Sequence, residues 1–270
     1  MIEDFNKKII ELWNQYENSL DLNYEEEKPD PITGKKTKKK ETANLLLPNV
    51  LLPVPEDLKI LFVGLNPSDS FPDSKKHIKT FRKENPKKHN TIFNDILKHD
   101  FSKALKYENC KDNNIDELIE LEQLAHSLHA YFQKYIELSN SLYGLKKIYH
   151  IDLYQFRMQN SNILVNQIIP NNKTFFDKQK KITFDFIEKL KPDLIFVANA
   201  KASHQFKEHY NIDISNLNED AGCYEVSLTN KCKTLIMLSG MISQTRNIDI
   251  YSFERLKWHF RLINKHLKKP

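Results

Sequence analysis

The sequence predicts an α/β fold, with three layers (α/β/α) around a central, mostly parallel sheet of four or five strands. Two observations support this prediction. Short apolar runs of about five or six residues alternate with segments of helical periodicity, which is typical of parallel strands buried on both faces. In addition, 40% of the 270 residues are hydrophobic and 29% are charged, so a sizeable core and a highly charged surface can coexist.

The predicted elements follow one another without internal repeats. The predicted strands cover residues 60–64, 146–154, 192–199, 223–228 and 233–240. The predicted helices cover residues 3–20, 90–101, 115–141, 174–190, 200–210 and 249–268. Residues 1–57 are expected to form an extension of one helix and an irregular basic segment, with a mobile lysine run (GKKTKKK, 34–40). Residues 58–270 are expected to form a single domain with a helical insertion near 102–145.

Several classes of protein are disfavoured by composition. No apolar run approaches the ~18 residues of a membrane span, and the charged N-terminus lacks the apolar block of a secretion signal. Cys110, Cys223 and Cys232 are scattered, which fits free thiols in a reducing cytoplasm and no metal site. We therefore expect a cytoplasmic protein without a metal or other cofactor.

The charge is concentrated in segments. The net charge is +5, and residues 75–88 (KKHIKTFRKENPKK) contain seven Lys or Arg residues against one Glu. Clustered cations neutralise phosphates, which favours a nucleic acid partner. The alternative at this point is an ordinary solvated surface.

The stretch Lys59–Ser68, KILFVGLNPS, places a glycine and a side-chain amide at the end of a strand. Ligands of parallel sheets bind at the carboxyl ends of strands, so residues 64–68, 152–156 and 239–246 are the candidate site segments. The stretch has neither the further glycines of a dinucleotide fingerprint nor the G-K-[ST] of a P-loop. A plain turn between a strand and a helix is the alternative.

Four segments together resemble the uracil-DNA glycosylase superfamily. They are GLNPS (64–68), IYHIDLYQFR (148–157), KPDLIFVANAKA (191–202) and IMLSGMISQTR (236–246). The first is most similar to the mismatch-specific and single-strand-selective branches, and the resemblance covers residues 58–262. The usual His-Pro-Ser of the second motif is replaced here by Leu238-Ser239-Gly240, so the histidine that would stabilise the leaving base is absent.

The resemblance implies a monofunctional DNA glycosylase that acts on a base turned out of the helix. In this interpretation the Asn66 carbonyl holds a water beneath C1′, and Pro67 fixes the geometry. Asp69 is a candidate electrostatic stabiliser or base, or else a helix cap.

The expected base-binding residues surround these two strand ends. They are Gly64, Leu65, Pro67, Ser68, Phe81, Asp152 and Tyr154. For the ring that stacks on the base, Phe71, Phe81 and Phe93 are candidates and Phe81 is preferred. His150 is expected to be a core or strand-edge residue.

Asp152 occupies a position where uracil-binding members of the family have Asn. A carboxylate accepts from the N4 amino group of cytosine, and a protonated carboxyl also donates to N3. Ser68 replaces a Tyr that would block substituents at C5. These two differences from the uracil-binding members suggest a C5-modified cytosine as the substrate. The chain resembles an anti-phage branch of the superfamily that removes glucosylated hydroxymethylcytosine from viral DNA. The alternative for Asp152 is a cap or an ion pair with Arg157.

DNA, including phage DNA, is the expected partner of a monomeric protein. The expected contacts to DNA are Lys75, Lys76, Arg82, Ser239, Gly240, Met241, Gln244 and Arg246, with apolar residues of the 239–246 loop entering the minor groove. Three alternatives remain open: uracil or mismatch repair, a non-catalytic nucleic-acid-binding module, and a nucleoside hydrolase or transferase.

Overall fold

A six-stranded, mostly parallel sheet with helices on both sides forms the centre of the molecule. The computed structural model describes residues 1–31, 33–55, 58–107, 115–143, 148–228, 232–240, 242 and 248–267. Within these ranges, no helix is both long enough and apolar enough to cross a membrane.

The secondary structure alternates along the chain as the sequence predicts. The strands are β1 Asn23–Pro29, β2 Lys36–Thr42, β3 Ile60–Gly64, β4 Tyr149–Asp152, β5 Leu194–Ala198, β6 Leu217–Asn218, β7 Cys223–Ser227 and β8 Lys233–Ser239. The helices are α1 Ile2–Tyr16, α2 Ser74–Glu84, α3 Thr91–Lys98, α4 Phe101–Ala104, α5 Ile115–Leu128, α6 Ala130–Tyr143, α7 Ser161–Ile163, α8 Ile169–Asn171, α9 Lys173–Leu190, α10 Ala200–His209 and α11 Ile250–Leu267. A π-helical turn (Leu164–Ile168) joins α7 to α8, and a 3₁₀ turn (Ile214–Asn216) precedes β6.

The strand order in the central sheet is β4-β3-β5-β8-β7-β6. The first four strands are parallel, β7 is antiparallel to β8, and β6 is antiparallel to β7. The predicted α/β fold with a mostly parallel sheet is confirmed. The predicted number of four or five strands is wrong, because the sheet has six. Strand β6 has only two residues, which is too short to show a periodicity in the sequence. The carboxyl ends of β3, β4, β5 and β8 meet at one edge.

The apolar strand runs are explained by burial on both faces. In β3, Leu61 and Val63 belong to the core beneath α1 and α9, whereas Phe62 belongs to a second core with α6 and α11. Phe62 contacts the Tyr135 ring edge to face at 5.2 Å between ring centroids. A strand covered on both sides has no polar face, so its sequence does not alternate between polar and apolar residues.

The prediction that the lysine run is irregular is wrong. The run forms β2, which pairs antiparallel with β1 so that Lys38, Lys39 and Lys40 lie opposite Glu27, Glu26 and Glu25. Opposite charges facing each other across two strands stabilise the pairing. The lysines therefore belong to a structured hairpin whose acidic strand offsets much of their charge.

Two predicted helices are divided in the structure, and one helix was not predicted. The basic segment 75–88 was given no secondary structure, but its first part is helix α2. The predicted helix at 115–141 is two helices, α5 and α6, that separate at His129. The predicted helix at 90–101 is likewise divided into α3 and α4.

Helix α1 is held by several buried side chains, among them Phe5, Ile9 and Trp13, and the Trp13 ring packs edge to face against Phe175 of α9. Trp13 is 1% exposed, and its indole N–H donates to the Leu46 carbonyl at 2.9 Å.

We expect Trp13→Phe to lower the free energy of unfolding by about 1–3 kcal/mol, since the buried carbonyl loses its donor. Trp258→Phe is the matched control because Trp258 is 62% exposed, and its effect should stay within about 0.5 kcal/mol. Urea unfolding followed by circular dichroism gives both values, and equal values would contradict this account.

Candidate functional site

A cavity of about 280 Å³ opens at the carboxyl ends of β3 and β4. Asn66 and Asp152, predicted independently from two strand ends, both line it, and so do Leu65, Pro67 and Ser68. The volume is close to the lower end of the roughly 300–1,000 Å³ typical of ligand pockets. The cavity therefore suits a ligand the size of a nucleobase.

Gly64, predicted to bind the base, is not among the lining residues, but it lies against Asp152, which is one of them. Gly64 and Asp152 are register partners on the neighbouring strands β3 and β4. A Cβ at position 64 would overlap Asp152 Oδ1 and would lie 3.1 Å from His150 Nε2. Gly64 does not have a positive φ, so the glycine is required by close approach rather than by backbone conformation.

Asp152 is a buried carboxyl, 4% exposed. Burial raises its pKa to about 8, the nearby Glu122 adds to the rise, and Arg157 and a hydrogen bond from Asn49 oppose it. The Asn49 amide donates to Oδ2 at 3.5 Å, and no described residue donates to Oδ1. Among the described donors, Asn49 occupies one lone pair of Oδ2 and none occupies Oδ1, so each oxygen keeps an acceptor position for a ligand.

A buried ion pair lies beside this carboxyl. The Arg157 guanidinium bonds to Glu122 and donates to the Leu47 carbonyl at 3.1 Å. Burial raises the pKa of Glu122, whereas Arg157 lowers it. Because Glu122 has the guanidinium as its direct partner and Asp152 has not, we assign the charge to Glu122 and the proton to Asp152. The alternative that Asp152 itself pairs with Arg157 is not what the structure shows.

Asn66 is oriented by backbone carbonyls. Its amide nitrogen donates to the Met158 carbonyl at 2.6 Å and to the Pro67 carbonyl at 3.1 Å. No described residue donates to its Oδ1. The amide nitrogen is thus fixed and the oxygen is left as an acceptor, which is the arrangement needed to position a water.

The loop that contains Asn66 is paired with the chain that follows β4. Leu153 N donates to Gly64 O at 3.1 Å, Tyr154 N to Leu65 O at 2.9 Å, and Met158 N to Pro67 O at 3.0 Å. These bonds continue the β3–β4 ladder beyond the sheet. They place both strand ends at a fixed separation.

The aromatic walls differ from the prediction. Phe81 does not line the cavity and packs against Phe93 at 5.6 Å between ring centroids. Phe71 lines it, but its ring is stacked against His77 on α2 at 5.7 Å and His129 at 5.5 Å. A ring with such partners offers little free face to a base.

Tyr131 and Phe132 are, with Phe101 of α4, aromatic lining residues that the prediction missed. Both line the cavity from the first turn of α6. They lie in the segment treated as an insertion, where their spacing fits any apolar helix face. The break at His129, whose ring nitrogen accepts from Tyr131 N at 3.0 Å, directs them to the cavity, and the sequence gives no signal for this break.

Three other predicted residues lie around the rim or outside it. Ser68 is exposed at the cavity. Asp69 is half-buried next to the lining, and burial raises its pKa while backbone N–H groups of Asp69 and Gln159 oppose the rise. Tyr154 does not line the cavity and packs against Phe176 at 5.5 Å. Tyr154 is therefore corrected to a core residue.

His150 lies behind Asp152, on the same face of β4. It is buried, and neither ring nitrogen has a hydrogen-bond partner among the described residues. Burial lowers its pKa well below the usual value, and His126 adds to the effect. The ring packs against Phe132 at 5.2 Å, so it is a neutral core side chain beneath the cavity.

The predicted DNA contacts are only partly brought together. Lys75 and Lys76 are exposed on α2 without an ion pair in the described ranges. Arg82 instead donates to Asn94 Oδ1 at 2.5 Å. Ser239 and Gly240 lie at the end of β8, two strand positions from β3, which is about 10 Å. Met241, Gln244 and Arg246 lie outside the described residues.

Replacing Gly64 should displace Asp152. We expect Gly64→Ala to lower the free energy of unfolding by about 1–3 kcal/mol, because Asp152 has to move away from the added methyl group. Gly240→Ala is the matched control, since a Cβ there meets nothing within 4 Å, and it should cost less than about 0.5 kcal/mol. Denaturant unfolding of both variants tests this, and a neutral Gly64→Ala would contradict the packing described.

The protonation of Asp152 should appear in the pH dependence of stability. Its folded-state pKa of about 8 exceeds the ordinary value of 3.8, so between these values the folded state holds a proton that the unfolded chain has lost. Stability relative to Asp152→Asn should then fall as pH rises from 5 to 8, by up to about 1.4 kcal/mol per pH unit. Unfolding of both proteins across this range measures the difference, with pH 5 as the baseline. A difference independent of pH would show that Asp152 is ionised throughout.

Comparison with known proteins adds no family, since no protein-family model matches this sequence and no curated protein does. The chemistry of the cavity therefore rests on its own side chains.

Proposed function

We propose that this protein is a monofunctional DNA glycosylase of the uracil-DNA glycosylase superfamily. It hydrolyses the N-glycosidic bond of a base turned out of DNA and leaves an abasic site. As the substrate class we propose a C5-modified cytosine, such as the glucosylated hydroxymethylcytosine of phage DNA. The observation that supports the proposal most is that the Asn66 amide and the Asp152 carboxyl line one cavity at adjacent strand ends.

In this mechanism Asn66 positions the attacking water. Its Oδ1 accepts a hydrogen bond from a water held near C1′, while the bond from its amide nitrogen to the Met158 carbonyl prevents rotation. The sugar acquires oxocarbenium character as the base departs, and the water adds to C1′. Asn66 removes no proton, so its contribution is one of orientation.

Asp152 binds and protonates the base. The neutral carboxyl donates to N3 of cytosine, and its other oxygen accepts from the N4 amino group. Cytosine is a poor leaving group as an anion, so transfer of this proton to N3 assists its departure. The exposed Ser68 at the rim leaves the C5 side without a bulky neighbour, which agrees with a modified base.

The role of Asn66 is tested by excision. Oligonucleotides that contain uracil, a thymine mismatch, hydroxymethylcytosine or its glucosylated form are incubated with protein and then treated with alkali to cleave abasic sites. We expect cleavage of a cytosine derivative by the wild type and a loss of about 100-fold or more in Asn66→Ala. Asn18→Ala, a change of the same kind at an exposed remote residue, should retain full activity.

The role of Asp152 is tested by its substrate and pH dependence. Asn cannot transfer a proton to N3, so Asp152→Asn should lose activity on cytosine derivatives and shift toward uracil, a better leaving group. Wild-type activity should decrease above pH about 8, where the carboxyl ionises. Asp73→Asn, the same change at an exposed residue just before α2, is the control. Equal uracil release by wild type and Asp152→Asn, without release of any cytosine derivative, would contradict the assignment.

A non-catalytic nucleic-acid-binding module is the second candidate. It is favoured by the end of β8, where Leu238, Ser239 and Gly240 offer no titratable side chain to the leaving base. DNA binding without cleavage of any of the four substrates would support this candidate.

A further inference from the structure

Helix α11 exposes a stripe of alternating aromatic and cationic side chains. Tyr251 is 78% and Trp258 62% exposed, and the exposed cations of this helix are Arg255, Arg261 and Lys265. Positions 251, 255, 258 and 265 follow the spacing of three, four or seven residues that places side chains on one side of a helix. The opposite side is buried in the core, so the stripe is not used by the fold.

Among the described residues, the cations of this stripe have no acidic partner. Within the described ranges, Arg255 donates only to the Ser252 hydroxyl, at 2.9 Å, and Arg261 and Lys265 form no ion pair. The one acid on the exposed side, Glu254, is bound by Lys257. The stripe is therefore a cationic surface with free aromatic faces.

The stripe begins at the level of the cavity. Helices α6 and α11 run parallel, because Lys134 lies 5.3 Å from the Phe253 ring and Glu137 pairs with Lys257 at 2.9 Å. Tyr251 is therefore level with the first turn of α6, where Tyr131 and Phe132 line the cavity. Trp258 follows about 10 Å further along the helix axis.

We propose that this stripe binds single-stranded nucleic acid that leads to or from the cavity. Aromatic rings interleaved with arginines provide stacking faces for bases and cations for phosphates, without preference for sequence. The choice of nucleic acid rests in part on the proposed function, but the inference concerns affinity and not excision.

Two other occupants fit the surface less well. A second copy of the chain, related by a two-fold axis, would place the stripe against itself. The cations Arg255, Arg261 and Lys265 of the two copies would then repel each other. A membrane surface is favoured by a broad apolar helix face, and the apolar face of α11 (Phe253, Leu256, Phe260 and Ile263) is already buried in the core.

The tryptophans allow a direct test. The chain has two, and Trp13 is 1% exposed, so Trp258 dominates any change in accessible tryptophan emission. Titration with a thymidine 20-mer should quench this emission at low salt, and the quenching should reverse as salt is added. Trp258→Phe should lose the signal but keep the affinity for a labelled 20-mer, measured by anisotropy. Trp258→Ala and Tyr251→Ala should each bind about tenfold more weakly.

Controls separate this inference from the proposed function. Ile214→Ala changes a residue that is 79% exposed in the 3₁₀ turn and should bind as the wild type does. Binding through Trp258 without excision would sustain this inference and remove the proposed function. Wild-type affinity in Trp258→Ala and Tyr251→Ala would overturn the inference. The inference would also be overturned if Trp258→Ala abolished a dimer, or binding to anionic vesicles, and left DNA binding unchanged.

Discussion

The close approach of Asp152 to the backbone of Gly64 is the contact on which the site depends. The two residues are register partners on adjacent parallel strands, and the absence of a Cβ at position 64 leaves room for the carboxyl over β3. Burial there separates the carboxyl from water and keeps its proton near neutral pH. Asn66 comes only two residues after this glycine, and its amide is oriented by the Met158 and Pro67 carbonyls.

A carboxyl and an amide buried at strand ends need support, and the chain after β4 supplies it. Backbone bonds from Leu153, Tyr154 and Met158 extend the sheet around the Asn66 loop. The buried Arg157–Glu122 pair lies against the same segment and ties it to helix α5. Groups held in this way undergo little reorganisation when a ligand binds, which is the condition for electrostatic and positional catalysis.

The sequence was informative where local pattern and structure coincide. The apolar strands, the parallel sheet and the convergence of Asn66 and Asp152 follow from burial and from the rule that ligands bind at strand ends. The aromatic wall does not, because Tyr131 and Phe132 face the cavity only through the packing of α6 across the sheet edge. The β1–β2 hairpin was missed because charged, exposed strands lack an apolar alternation, and pairing of glutamates with lysines becomes evident only in register.

The central claim is that a base enters the cavity between Asn66 and Asp152. The most direct measurement is a crystal structure of the Asn66→Ala variant with an oligonucleotide that contains one hydroxymethylcytosine. The account predicts an everted base in the cavity, with its N3 and N4 edge on Asp152 and C1′ facing position 66. A base that stays stacked in the DNA, or DNA bound on another face of the protein with the cavity empty, would contradict it.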